Sequence, residues 1–349
     1  MRDVAALAGT STAVVSYVVN DGPRQVAEGT RLRVLGAIEK LDYRRNDLAA
    51  ALVVGATDTY GLIVPDISNP FFASMAHALG AEVFAAGKIL LLGDSGEDPQ
   101  RERTIVEGFL QRQVDGLIYI GTDDRSHSER IAHAWGTVVM LDRVSPDSRA
   151  SSVTVDNVAG SRMAVQHLID HGYRDIGMIA GSEHLLTSQD RVTGWRDTLL
   201  ANGLVPDTRW TANGQFTRET GARAISQWLT KGPLPRAVFA SNDQQAVGAM
   251  QVVIEHGLRI PEDLAVVSFD GVDSLSHVTI SLTTVRQPVE VIAQKAVQLL
   301  LGERHGRPMH EVVDVELVIG KSCGCGAKPS HTLGSSVTNN SRLNTGTPC

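Results

Sequence analysis

The pattern of apolar and polar positions divides the chain into a short helical head and a long segment of alternating strands and helices. Residues 3–8 place Val4, Leu7 and Ala8 at helical spacing, and Gly9 breaks the run. Ser11 is placed to cap a second helix, in which Val14, Val15, Val18 and Val19 recur on one side. Asn20, Asp21, Gly22 and Pro23 make a turn cluster. A third helix over 28–41 carries Leu32, Leu35, Ile38 and Leu41 as its predicted apolar face. From residue 60 the pattern changes. Apolar runs at 60–64, 89–93, 117–120, 138–141 and 153–155 read as buried strands, with helices such as 72–86 and 101–113 between them. A second series follows at 176–180, 237–240 and 264–269, with helices over 191–201, 220–230 and 244–256. Such alternation predicts parallel sheets covered by helices on both faces. Some 265 residues of it exceed one sheet, so two similar halves facing a cleft are expected.

Two short helices joined at a glycine and braced by a third form a helix-turn-helix pattern, although a plain three-helix bundle fits the same periodicity. The N-terminal end of the second helix offers Ser11, Thr12, Ala13 and Ser16, small enough to approach base edges and phosphates in a major groove. In the long segment, the ends of the strands carry the distinctive residues. These are Pro65 to Phe72, Asp142-Arg143, Asp156-Asn157, Ser241-Asn242-Asp243 and Asp270-Gly271. Ligands of open parallel sheets bind beyond the carboxyl ends of strands, and Asp, Asn and Arg beside aromatic rings suit a sugar or polyol. Paired carboxylates also serve general acid–base chemistry. No nucleophile motif, phosphate loop or metal triad accompanies these, so no enzyme activity is expected.

Charge and composition narrow the classes. The 349 residues are 42% hydrophobic and 20% charged, ordinary for a globular chain. The net charge of −7 argues against a protein that coats nucleic acid over its whole surface. Residues 1–57 hold seven basic and six acidic groups, which leaves 25 and 33 in the remainder. A near-neutral head on an acidic body is compatible with a local DNA contact. No apolar run approaches the roughly 18 residues of a membrane span, and the N-terminus lacks a signal-peptide pattern. A cytoplasmic location without membrane association is therefore expected. The three cysteines, Cys323, Cys325 and Cys349, fall at the C-terminal end. A Cys-x-Cys pair with His331 lacks the paired spacing of structural zinc sites, so reduced thiols and no metal or other cofactor are expected.

The run from Asp3 to Asn20, DVAALAGTSTAVVSYVVN, closely resembles the head of the lac/gal repressor family, and the likeness continues through Thr30-Arg31, Arg33-Val34-Leu35, Ala37-Ile38 and Tyr43 to Asn46. The resemblance implies a bacterial transcription regulator, a repressor, working as a homodimer on a pseudo-palindromic double-stranded DNA operator. It assigns Thr12, Ala13 and Tyr17 to base reading within a DNA-contacting set of Ser11, Thr12, Ala13, Ser16, Tyr17 and Asn20. Tyr17 stands where many members carry arginine, so a guanine preference does not carry over. Residues 47–54 match the family's hinge helix, with Leu52 at the position of the minor-groove wedge. Arg45 replaces the usual proline, and the hinge lacks the cations common around 50–54, which predicts weaker, less salt-dependent binding. The chain starts three or four residues later than most members, Ala27 stands where a capping serine is common, and an upstream start codon is expected.

Residues 60–322 resemble the family's effector domain, which shares the type I periplasmic-binding-protein fold of two doubly wound parallel-sheet subdomains. The implied pocket is Phe71, Phe72, Thr187, Arg191, Phe216, Asn242 and Asp270, with Gln287 following the matching Thr283 to Pro288 run. Arg191 donating in a fork and Asp270 accepting form its centre, and an interdomain salt bridge without a ligand is the plainer account of the same pair. Leu185 replaces the arginine of purine-binding members, which favours a sugar or sugar derivative over a purine. The expected layout is a head at 1–45, a hinge and linker at 46–58, a core at 59–322 and a flexible tail at 323–349. Within the core, about 59–157 plus 285–308 form one half and about 158–284 plus 309–322 the other. The tail has no leucine heptad, which favours a dimer over a tetramer. A sugar-binding protein that serves a transporter shares the cleft, but the head and the missing signal peptide argue against it.

Overall fold

Small side chains set the geometry of the head. The computed structural model describes residues 1–19, 24–44, 55–121, 130, 131, 133, 135, 137–144, 148–272, 280–302 and 308–325. It divides into two units, Met1–Thr57 and Asp58–Cys349. The predicted positions of Asn20 and Leu52, the hinge residues 47–54 and residues 326–349 of the expected tail lie outside the described residues. In the first unit α1 (Arg2–Ala8) ends at Gly9, whose φ of 62° is the left-handed conformation that closes many helices. Helix α2 (Thr12–Val19) follows Gly9 after two intervening residues, and the Ser11 hydroxyl accepts from the Val14 N–H at 3.3 Å, the expected cap. Helix α3 (Glu28–Lys40) completes the bundle.

The buried core of the head is Val4, Ala5, Ala8, Val15, Val18, Val34 and Ala37. This corrects the predicted face of α3. Leu32, Leu35 and Leu41 are exposed, and of the four predicted positions only Ile38 packs against the core. The alanines of α1 bring the helices too close for leucine, so the smaller Val34 and Ala37 take the interface. The Arg33 guanidinium reaches the Ala8 carbonyl at 3.2 Å, placing a cation at the C-terminal end of α1.

In the second unit the described residues build two six-stranded sheets. The first contains β1 (Thr59–Val64), β2 (Ile89–Asp94), β3 (Gly116–Tyr119), β4 (Val138–Leu141), β5 (Ser151–Val155) and β11 (His310–Val313). Its order is β11-β5-β4-β3-β1-β2, and every pair is parallel. The second contains β6 (Ile176–Ala180), β7 (Thr211–Asn213), β8 (Ala237–Ala240), β9 (Ala265–Asp270), β10 (Thr283–Arg286) and β12 (Glu316–Val318). Its order is β12-β10-β9-β8-β6-β7, with only β12 antiparallel. Helices α4 (Pro70–Ala85), α5 (Pro99–Gln111) and α10 (Val289–Leu301) cover the first sheet. Helices α6 (Asn157–Asp170), α7 (Leu186–Ala201), α8 (Arg218–Lys231) and α9 (Asp243–Glu255) cover the second. These are the doubly wound parallel halves that the strand–helix alternation predicts.

The chain crosses between the halves three times: after β5, between β10 and α10, and between β11 and β12. Two of these crossings differ from the expected boundaries. Strand β10 pairs with β9 throughout, so the return falls after residue 286 rather than before 285. His310–Val313 pairs with β5 in the first sheet, although residues 309–322 were assigned to the second half. Both strands are short and lie at or next to a sheet edge, where sequence carries little of the uninterrupted apolar signal of a central strand. No described helix is long and apolar enough to cross a membrane.

Helices α8 and α9 meet at two glycines. A Cβ at Gly221 would lie 1.9 Å from the Gln245 carbonyl oxygen, and one at Gly248 the same distance from that of Arg218. Both clashes are with backbone, so neither helix can accommodate a methyl without moving away. Gly221→Ala is expected to lower the unfolding free energy by about 2–3 kcal/mol, measured by urea denaturation. At the head, Ala27 caps α3 with extended backbone and no side-chain bond. Ala27→Ser is expected to raise the stability of the head by about 1 kcal/mol, read as an upward shift of its thermal midpoint.

Candidate functional site

Between the two sheets, the carboxyl ends of the strands supply one set of facing side chains. Asn69, Phe71, Phe72, Asp142, Arg143, Thr187, Arg191, Phe216, Asn242 and Asp270 line a single cavity. Seven of the eight sequence-predicted positions are brought together there, and the eighth, Gln287, donates from its side-chain amide to Asp270 Oδ1 at 2.9 Å. Asn69, Asp142 and Arg143 are additional to the expected set; Asp142 and Arg143 directly follow β4, and Asn69 caps α4 in the loop after β1. The cavity volume is only about 10 Å³, room for about one water molecule. The side chains of the two halves fill the cleft themselves.

Arg191 is its centre. Helix α7 carries the side chain inward, where its Nε donates to Asn157 Oδ1 at 2.8 Å and its Nη1 to the Ser241 carbonyl at 2.6 Å. The same Nη1 lies 3.4 Å from Asp270 Oδ1. The guanidinium carbon stands 3.9 Å from the Phe269 ring centroid and 5.7 Å from that of Phe216, so the cation is held over aromatic faces as well as by acceptors. All these partners belong to the second half, so the Arg191–Asp270 pair does not bridge the cleft.

The first half presents a second arginine. Arg143 forks onto Glu97 at 2.7 and 2.8 Å and lies 5.8 Å from the Phe72 ring. Phe71 and Phe72 meet edge to face at 5.3 Å. Both are buried in the main core cluster and both face the cavity, so packing and lining are not alternatives here. Asn242 is also committed twice: its Oδ1 caps α9 by accepting from the Gln245 N–H, and its Nδ2 donates to the Phe216 carbonyl.

Two acids at the strand ends adopt left-handed backbone, Asp142 at φ 59° and Asp270 at φ 112°. Strain of this kind in a non-glycine residue gathers at ligand clamps and active sites. Burial pushes the Asp270 carboxyl up to about 8 against the pull of Arg191, and Asp243 and Asp142 add to the rise. Burial likewise raises Asp142 and Asp243. Asp243 is tied to Ser268, Thr284 and the Val272 N–H, which fixes the start of α9 against β9 and β10.

On the head, Ser11, Thr12 and Ala13 are exposed at the start of α2, and Ser16 and Tyr17 are half-buried. These five lie on or beside one short helix whose opposite side, Val15 and Val18, enters the core. Residues 1–46 match the family described as bacterial regulatory proteins, lacI family, and residues 165–323 match the periplasmic binding protein-like domain. The regulator GalR of Escherichia coli K12 is 32% identical over 323 residues, spanning 90% of this chain and 92% of GalR. The chain belongs to the lacI family. Among solved structures of lacI-type regulators, the lac repressor dimer bound to operator and the anti-inducer ONPF aligns with a TM-score of 0.81 at 27% identity. That alignment covers 92% of this chain and 98% of the repressor. The CelR–cellobiose complex aligns at 0.70 and 30% identity, covering 92% and 98%. The strand-end cleft and the three-helix head of this lacI-family chain thus occur together in its relatives over nearly their whole length.

Asp270 generates a pH dependence of stability. Its folded value of about 8 lies above its ordinary 3.8, so folding takes up a proton between the two. The contribution is complete below about pH 4 and is lost as pH rises toward 8. The urea midpoint is therefore expected to fall between about pH 6 and pH 8, and Asp270→Asn, which stays neutral, is expected to flatten that fall.

Proposed function

We propose that this chain is a sequence-specific DNA-binding transcription repressor whose grip on its operator is set by a sugar or sugar derivative held in the cleft. The observation that carries this reading is the pairing of two features in one lacI-family chain. One is a helix-turn-helix whose α2 offers Ser11, Thr12 and Ala13 to solvent at its N-terminal end. The other is a cleft in which charged and amide groups stand beside Phe71, Phe72 and Phe216. The small residues admit close approach to base edges, with the Ala13 methyl suited to a thymine methyl. Aromatic faces and fixed polar partners suit the ring and hydroxyls of a sugar. CelR, solved with cellobiose, shares this architecture. The matched relatives are named as transcription regulators, which favours regulation over catalysis.

The working unit is a homodimer, which reads a pseudo-palindromic operator with two heads. Exposed apolar side chains support self-association through both halves. Phe84 is 80% and Ile89 62% exposed on the first. On the second, Ile254 stands 52% exposed beside a groove of about 290 Å³ lined by Val247, Met250, Ile280 and Leu282. Solvent rarely faces such patches unless a partner covers them. The site of action is the cytoplasm, where the DNA is. Ligand binding reorients the halves only as far as its affinity differs between the two arrangements.

A gel-shift titration tests the reading. Full-length protein is expected to retard the DNA fragment upstream of its own gene at about 10 nM or below. One member of a panel of mono- and disaccharides is expected to raise the thermal midpoint and to change that retardation. Arg191→Lys keeps the charge but loses the fork, so it is expected to shift DNA while losing the sugar response. If wild-type protein binds no such fragment, the regulatory reading fails. If it binds DNA but no sugar moves it, the ligand class fails alone.

A further inference from the structure

A second constellation lies on the same half of the core as Arg191, at the far end of α6 from Asn157. His167 in the last turn of α6 and His171 just after it are four residues apart, the spacing that puts two imidazoles on one side of a helix. Their rings meet at 4.6 Å between centroids. Beyond β12 the chain returns to this point as Cys323-Gly324-Cys325. One ligating atom from each of His167, His171, Cys323 and Cys325 falls within 4.8 Å of all the others. Cys325 Sγ stands 3.2 Å from His171 Nε2 and 3.8 Å from His167 Nε2. A tetrahedral ion with bonds of about 2.3 Å to sulfur and about 2.0 Å to nitrogen needs sulfur–nitrogen edges of about 3.5 Å. The two measured edges bracket that value.

We propose that His167, His171, Cys323 and Cys325 form a tetrahedral site for a zinc-class divalent cation. Two thiolates and two imidazoles are the donor set that selects zinc over magnesium, calcium or manganese, which prefer oxygen. With neutral imidazoles, two thiolates balance the two charges of the ion, so a partly buried site gains no net charge. Cys323 is fully buried and Cys325 half-buried, which excludes most of the water that would otherwise compete.

Both arms are held in place before any ion arrives. Ser322, next to Cys323, accepts from the Thr283 N–H at 2.8 Å, donates to the Val266 carbonyl at 2.6 Å and accepts from the Val266 N–H through its own carbonyl. The cysteine loop is thereby pinned to β9 and β10. Gly324 takes φ 101°, a turn between the two sulfurs that a side chain would strain, and a Cβ there would lie 3.2 Å from the Tyr173 hydroxyl oxygen. The Cys325 N–H donates to Cys323 Sγ at 3.5 Å, which fixes the turn between the two sulfurs. On the other arm, backbone bonds from His171 to His167 and from Tyr173 to Leu168 close the end of α6. Rigid elements presenting both pairs of donors are what a metal site requires.

Sequence alone points elsewhere. It pairs the cysteines with His331, because the two histidines that face them lie more than 150 positions upstream. The fold supplies what spacing does not. The ion would tie the segment after the last strand to α6, the helix whose first residue holds Arg191.

The test uses tag-free, full-length protein kept reduced. Added zinc is expected to stay bound after desalting at one ion per chain, and to raise the thermal midpoint, with a chelator reversing the rise. Cobalt(II) is expected to give the intense visible bands of a four-coordinate ion together with thiolate-to-cobalt charge transfer in the near ultraviolet. Cys325→Ser and His171→Gln, both on accessible positions, are each expected to weaken zinc binding by at least about tenfold, while Cys349→Ser leaves it unchanged. Cobalt bound without thiolate charge transfer, zinc lost on desalting, or binding abolished by Cys349→Ser but not by Cys325→Ser would each overturn the proposal. The cobalt spectrum of wild-type protein decides the matter even if a variant fails to fold, and neither DNA nor sugar enters the measurement.

Discussion

The second half of the core is organised around one buried guanidinium. Arg191 joins the start of α6 through Asn157, the end of β8 through the Ser241 carbonyl and the end of β9 through Asp270. Phe269 and Phe216 close its two faces. A cation removed from water is costly unless its donors are used, so these elements must converge for the half to be stable. That requirement turns two strand ends and a helix start into a fixed wall. Whatever ligand the cleft takes meets a surface whose polar atoms are already oriented, and it must exchange hydrogen bonds with them rather than order them.

Much of this was legible in the sequence, for definable reasons. Central parallel strands are continuous apolar runs, so β1, β3, β4, β6, β8 and β9 stand out, and ligand-facing residues follow them at once. Arg191, Asp270 and the three phenylalanines were reachable that way together with the family likeness. Helix α6 was not, because it buries Asn157, Gly160 and Ser161 on the face that a helix normally fills with leucine. Strands β11 and β12 are short, partly exposed edge strands that carry little apolar signal. Asp142 and Arg143 were visible as a pair after β4 but gave no sign that the backbone would turn to a positive φ and press both into the cleft.

The head shows the converse limit. Its pattern of small and polar residues identified the helix-turn-helix, yet the face of α3 that packs was misjudged, because hydrophobicity alone favours leucine over alanine. Close helix approach reverses that order. Leu32 and Leu35, exposed at 60% and 44%, are thereby available to surfaces other than the bundle itself. The same effect recurs where α8 meets α9, with glycine in the role that alanine plays in the head.

The filled cleft has a kinetic meaning. With space for about one water, this closed arrangement is too full to admit a sugar. Entry waits on a separation of the two halves or a swing of Arg143 or Arg191 out of its partners. Any measured affinity is then the intrinsic affinity reduced by the fraction of molecules that stand open. Substitution of Glu97, which holds Arg143 but does not itself line the cavity, would tune the response by changing that fraction. Sensitivity to the signal is thus adjustable in this protein without altering which molecule it recognises.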